Sequence, residues 1–105
     1  MNIMSKRALI IHFQDNVATV TEDVDVGDHI AAALERDVRL VEAKEKIPFG
    51  FKVALTDIPT GDTVYKYGEP IGKASKPISR GQIVHIHNLE GLRGRGDLAS
   101  GGTSD

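Results

Sequence analysis

The sequence predicts an all-β domain of mainly short strands with one short helix, arranged as a barrel-like or multi-sheet unit. Three observations predict it. Short β-rich runs with alternating polarity recur along the chain. A loose motif, apolar-x-x-Gly-x-x-apolar, places turns between them. Helical periodicity is confined to one stretch of nine residues.

The strands follow in order: Ala8 to Phe13, Val17 to Thr21, Val38 to Ala43, Lys52 to Thr56, Thr63 to Lys66, Pro70 to Ala74 and Gln82 to His87. Val17-Ala18-Thr19-Val20 and Val84-His85-Ile86-His87 alternate cleanly. The helix is expected over Asp28 to Arg36. Ile30, Ala33 and Leu34 fall at i, i+3 and i+4, and the alanines have high helix propensity. So short a helix needs the sheet to pack on.

The turn motif appears at Val24-x-x-Gly27-x-x-Ile30, Ile47-x-x-Gly50-x-x-Val53, Ile58-x-x-Gly61-x-x-Val64 and Ile78-x-x-Gly81-x-x-Val84. Glycine supplies positive φ, and Pro48 and Pro59 are expected at a turn's first corner. The copies are 23, 11 and 20 residues apart, which is too irregular for a solenoid.

At 105 residues the chain is one domain, with enough surface to bury for one small core. Residues 1–90 are read as the folded unit. Residues 91–105 carry five of the eleven glycines and are read as a flexible tail, in which Arg93 and Arg95 are available to a partner's carboxylates. Arg95-Gly96-Asp97 spells an adhesion tripeptide, taken here as chance. With no cysteine, disulfides, thiolate metal sites and a cysteine nucleophile are excluded. A net charge of -2 argues against nucleic acid and anionic membrane as partners. No apolar run is long enough to span a bilayer, and none follows the basic N-terminus as a secretory signal would require. The expected location is the cytoplasm.

Two polar clusters stand where apolar strands run out. The first is His12-Phe13-Gln14-Asp15-Asn16, and the second His85-Ile86-His87-Asn88. On a strand, His85 and His87 would share a face at roughly 6.5–7 Å between Cα atoms, with Val84 and Ile86 toward the core. That arrangement offers two imidazoles to a metal, with Asn88 as a further oxygen or an orienting group; a solvated strand face looks the same. His12 suits proton transfer if Asp15 or Asn16 positions it, although Asp15 reads more simply as an Asx-turn residue. Lys52 is suited to a substrate carboxylate, or is a solvated strand-end lysine. His29 is read as a surface residue of the short helix. A P-loop, a dinucleotide fingerprint and the paired carboxylates of glycosidases are absent from the sequence.

Several segments, in order, resemble the SAF domain of the altronate and galactarate dehydratase family. They are His12 to Ala18, Ile47-Pro48-Phe49-Gly50-Phe51-Lys52-Val53-Ala54-Leu55, Ile58 to Asp62, Val64-Tyr65-Lys66-Tyr67-Gly68-Glu69-Pro70-Ile71-Gly72 and Val84 to Leu89. One departure stands out: the family usually reads Gly-His-Lys where this chain has Gly50-Phe51-Lys52.

The resemblance implies a β-clip fold and a small subunit, or detached domain, that covers the active site of a large dehydratase subunit. It implies loss of water from a sugar acid of the altronate or galactarate type. A divalent metal (Fe²⁺, or Mn²⁺/Mg²⁺) is expected mainly in the large subunit. In this chain it points to His12 and His87 as catalytic, to Asn16, Lys52 and Asn88 as substrate-binding, and to His85 as a metal ligand. Which group is base and which acid stays open. Two alternatives stand beside it: a small subunit of a sulfolactate sulfo-lyase, and a non-catalytic SAF-type binding module.

Overall fold

The computed structural model describes residues 5–91, and these hold nine strands and no helix. They are β1 (Lys6–Leu9), β2 (Val17–Val20), β3 (His29–Leu34), β4 (Asp37–Glu42), β5 (Lys52–Ala54), β6 (Thr63–Lys66), β7 (Glu69–Ala74), β8 (Ile83–Val84) and β9 (Leu89–Glu90). A six-stranded sheet runs in the order β4-β3-β1-β2-β5-β8, and a three-stranded sheet in the order β6-β7-β9.

The expected helix over Asp28 to Arg36 is not formed. Its residues make β3 and then turn at Glu35-Arg36 into β4. β3 pairs in parallel with β1 and antiparallel with β4. Ile30 and Ala32 are fully buried, while Ala31 and Ala33 are partly exposed, so the period is two. Alanine's helix preference is worth only tenths of a kcal/mol per residue, and two flanking ladders override it. The hairpin has no turn signal in the sequence, because its corner lacks Gly or Asn; Glu35 itself takes φ 54°.

Strand limits differ in two places that matter for function. β1 ends at Leu9, and His12 onward forms a turn in which Asp15 N–H donates to the His12 carbonyl at 2.9 Å. β8 ends at Val84, so His85 and His87 do not lie side by side on a strand. Ile86, expected in the core, is 83% exposed.

The turn motif resolves into two interlocked pairs. Val24 bridges Ile47, and Ile58 bridges Ile78, each through reciprocal N–H to carbonyl bonds of 2.8–2.9 Å. In each pair, one copy's glycine N–H donates to the carbonyl four residues before the other copy's apolar residue. Gly27 bonds Ala43, Gly50 bonds Val20, Gly61 bonds Ala74 and Gly81 bonds Ala54. All four glycines have φ between 87° and 93° at the third turn position, as type II turns require. The prolines stand at the first turn position rather than at the corner: Pro48 and Pro59 accept from Phe51 and Asp62 N–H. Aspartates repeat the symmetry, since Asp23 accepts Phe49 N–H and Asp57 accepts Arg80 N–H, both at 2.9 Å. The spacings of 23 and 20 residues are therefore two equivalent loops, and the 11-residue step joins the two pairs.

Two cores result. Ala8, Ile10, Ala18, Val20, Ile30, Ala32, Val41, Ile47 and Val53 are among those filling the first, and Val17, Ala54, Ile58, Val64, Ala74, Ile78 and Val84 the second. β2 and β5 feed both, sending alternate residues to opposite faces. They form the wall between the cores.

Candidate functional site

The first polar cluster locks the β6–β7 hairpin onto β2. Asp15 is 3% exposed. Its carboxylate accepts His12 N–H at 3.0 Å, Tyr67 N–H at 3.1 Å and Gly68 N–H at 2.8 Å. Asn16 serves the free edge of β6 as a strand would: Nδ2 donates to the Thr63 carbonyl at 3.0 Å, and Oδ1 accepts Tyr65 N–H at 2.8 Å. The pairing of β6 with β7 is irregular between Val64 and Tyr65, next to this bond. Asp15 is thus more than a local Asx turn, because two of its three partners lie more than 50 residues away.

The hairpin tip is held in a conformation that a non-glycine residue seldom adopts. Tyr67 has φ 62° and Gly68 φ 71°. The His12 ring lies against Gly68; a Cβ on Gly68 would come within 2.8 Å of it. His12 also stacks on Phe13, with centroids 4.6 Å apart. Its Nδ1 accepts Gln14 N–H at 3.1 Å, an assignment that places the proton of the neutral ring on Nε2.

Lys52 opens β5. One ladder row across the large sheet runs Val38, Ala33, Leu9, Thr19, Lys52 and Val84. Lys52 is half-buried, and burial holds its ammonium below the usual lysine pKa. The nearby Lys66 charge pushes the same way, while Tyr67 opposes both. Lys66 Nζ lies 4.7 Å from the Tyr67 ring centroid. Thr19, directly opposite Lys52, has a buried Oγ1 with no hydrogen-bond partner among the described residues.

The second polar cluster is a turn. Asn88 is 3% exposed; its Oδ1 accepts His85 N–H at 2.9 Å and its Nδ2 donates to the Ile83 carbonyl at 2.8 Å. The His85 ring meets Phe51 edge-on at 4.8 Å. His87 is exposed on the same turn. Of the six residues singled out by sequence, His12 lies against the hairpin tip at Gly68, and His85 packs on Phe51. Asn16 and Asn88 spend their amides on backbone groups, and His87 stands apart. Lys66 and Tyr67 form the hairpin tip itself, for which a Tyr-Gly pair ending a strand is the signal in the sequence.

Among the described residues no three His, Cys, Asp or Glu side chains converge on a point. A divalent metal needs several converging ligands, so one held by His85 would take its other donors from outside these residues. No helix among them is long and apolar enough to cross a membrane.

These motifs match, over residues 6–92, the family described as the altronate/galactarate dehydratase SAF domain. The chain belongs to that family. The SAF domain is 40% identical over 85 residues to an altronate dehydratase of Bacillus subtilis, covering 81% of this chain and 16% of that protein. It is 41% identical over 78 residues to an altronate dehydratase of Escherichia coli, covering 74% of this chain and 15% of that protein. It is 33% identical over 88 residues to a (2R)-sulfolactate sulfo-lyase subunit alpha of Chromohalobacter salexigens, covering 80% of this chain and 94% of that subunit. The SAF domain thus spans under one-sixth of the E. coli dehydratase and nearly all of the lyase subunit.

Proposed function

We propose that this SAF domain is the small subunit of a sugar-acid dehydratase, completing an active site whose remainder lies on a large subunit. The observation that carries this reading is the pinned β6–β7 tip, with the His12 ring against Gly68, Lys66 beside Tyr67, and the half-buried Lys52 of β5 feeling the charge of Lys66. The likeness to a protein named as a lyase subunit supports the subunit role.

Dehydration of a sugar acid removes the proton beside the carboxylate and expels hydroxide from the next carbon. The α-proton is weakly acidic because the carboxylate is already anionic, so the enediolate needs positive charge or hydrogen-bond donors. Lys52 supplies charge to the carboxylate. His12, protonated at Nε2 in its neutral form, supplies a donor, which suits it to the enediolate or the leaving hydroxyl rather than to proton abstraction. His87, exposed on the turn after β8 at the sheet edge opposite β4, is assigned proton transfer, which requires the large subunit to reach that turn as well. A divalent metal is assigned to the large subunit. Asn16 and Asn88 hold the hairpin and the turn in place for substrate contacts made by their neighbours.

The large subunit is assigned to the outer face of β1, β3 and β4. Leu9, Val38 and Leu40 are 51%, 57% and 59% exposed there, and the Val38–Ala33–Leu9 row leads directly to Thr19 and Lys52. A body several times larger than this chain, docked on that face, would bring its own groups to Lys52.

The test is co-purification of the chain with a dehydratase large subunit, followed by dehydration assays on altronate, galactarate and (2R)-sulfolactate. Turnover of a sugar acid only with both chains present is expected. Sulfite release from sulfolactate alone would replace the dehydratase with a sulfo-lyase. A folded chain that neither assembles nor supports turnover would leave a binding module.

A further inference from the structure

β1 and β3 run parallel, so their carboxyl ends open at the same end of the sheet. The ladder runs out with Ile10 N–H donating to the Ala33 carbonyl at 2.9 Å. Beyond that bond the two segments part, one into the His12 turn and the other through the Glu35 corner into β4. A cavity of about 270 Å³ lies there, lined by Ile11, His12, Phe13, Leu34, Glu35 and Asp37. Small-molecule pockets run to roughly 300–1,000 Å³, so this one has room for part of a six-carbon acid and not the whole.

The lining combines three kinds of group. Ile11, Leu34 and Phe13 give apolar surface, and the Phe13 ring is 73% exposed. His12 stacks on that ring at 4.6 Å, and with Nδ1 accepting from Gln14 its Nε2–H is left to donate. Glu35 and Asp37 are exposed carboxylates, which only accept. Among the described residues the ion pair within 4.0 Å is Lys6 with Asp28, so neither carboxylate has a cationic partner. Arg36, between them in sequence, does not line the cavity. Glu35 also sits at φ 54°, a corner that glycine or asparagine would take at less cost.

Such a lining suits hydroxyl groups. A hydroxyl donates to a carboxylate and accepts from an imidazole, while the C–H face of its carbon chain lies on apolar surface. A carboxylate or sulfonate is repelled by Glu35 and Asp37. We propose that this cavity is a subsite for the uncharged, hydroxyl-bearing tail of the substrate, where Glu35, Asp37 and Phe13 select an aldonate over an aldarate. An aldonate ends in a hydroxymethyl group, and an aldarate in a second carboxylate. The proposal rests on the sugar-acid reading for the class of ligand. It agrees with the donor role of His12 at the reacting carbons, because the tail is the part of the substrate beyond them.

The experiment follows the side-chain NMR signals of His12, Phe13 and Leu34 in the isotope-labelled 105-residue chain during titration with altronate, galactarate and (2R)-sulfolactate. Altronate is expected to move all three, and galactarate to bind at least tenfold more weakly. Sulfolactate, which has no hydroxyl-bearing tail, should leave them in place. Glu35→Gln combined with Asp37→Asn, confirmed folded by its backbone spectrum, should bring the two sugar acids within threefold of each other. Phe13→Ala should weaken altronate at least threefold. Signals unmoved by every ligand, galactarate binding as tightly as altronate, a preference unchanged in the double variant, or altronate affinity unchanged in Phe13→Ala overturns the subsite. Altronate selected by a chain whose reconstituted enzyme dehydrates no sugar acid upholds the subsite and removes the dehydratase reading. Dehydration of galactarate with a kcat/KM equal to that of altronate does the reverse.

Discussion

The carboxylate of Asp15 accepts the backbone N–H of Gly68 at 2.8 Å, tying the turn after β1 to a hairpin tip 53 residues away. Through that bond the His12 ring and the Tyr67 conformation are set together.

Asp15→Ala leaves three backbone N–H groups without their acceptor. Loss of charge-assisted bonds at a buried site costs about 2–4 kcal/mol in urea unfolding, allowing for partial rescue by water. A midpoint within error of the parent would remove Asp15 as the clamp.

Gly68→Ala tests the clamp's effect on function. The added Cβ must displace the His12 ring, which lies 2.8 Å from its ideal position, and it also meets a backbone at φ 71°. Turnover of the reconstituted enzyme should fall toward that of His12→Ala, and the His12 ring signals should move. Unshifted ring signals would show that the contact does not position His12.

Gly61→Val separates turn chemistry from packing. Nothing lies within 4 Å of a Cβ at position 61, so the penalty comes from φ 90° alone. A β-branched residue there costs about 1–3 kcal/mol. Thermal melting should show the loss, and an unaltered curve would sink the type II assignment.

Lys52 makes stability depend on alkaline pH. Its folded pKa lies below the usual 10.5, so between the two values the unfolded chain binds more protons. Its contribution to stability is therefore least below the folded pKa and rises with pH up to the unfolded value. Denaturant unfolding across that window should show the rise, and Lys52→Met should flatten it. An equal slope in the variant would assign the dependence elsewhere.

His12→Ala and His87→Ala should each lower turnover of the assembled enzyme at least tenfold while leaving the chain folded. Full activity in either variant removes that histidine from the chemistry.

Much of the architecture was legible in the residues. The alternation in Val17-Ala18-Thr19-Val20 located β2, and the Gly motif located all four type II turns. The motif's irregular spacing concealed that the copies interlock in pairs, since hydrogen bonds between Gly50 and Val20, or Gly81 and Ala54, join residues with no periodic relation. β3 is hidden in the sequence because alanine carries a helical preference, and only its two neighbouring ladders settle the matter.

The polar clusters divide in the same way. Sequence singled out His12, Asn16, Lys52, His85, His87 and Asn88 because imidazoles, amides and an amine are the groups able to carry proton transfer and carboxylate recognition. Side-chain chemistry is local and can be read from one residue at a time. What each group does with that chemistry depends on partners brought in from afar: Thr63 and Tyr65 for Asn16, Tyr67 and Gly68 for Asp15, Lys66 for Lys52. The sequence by itself determined the β-rich class, the turns and the inventory of reactive groups. Tertiary structure alone decided which polar residues are clamps and which are free to meet a ligand, because hydrogen-bond satisfaction and desolvation are properties of contacts between segments, not of any one segment.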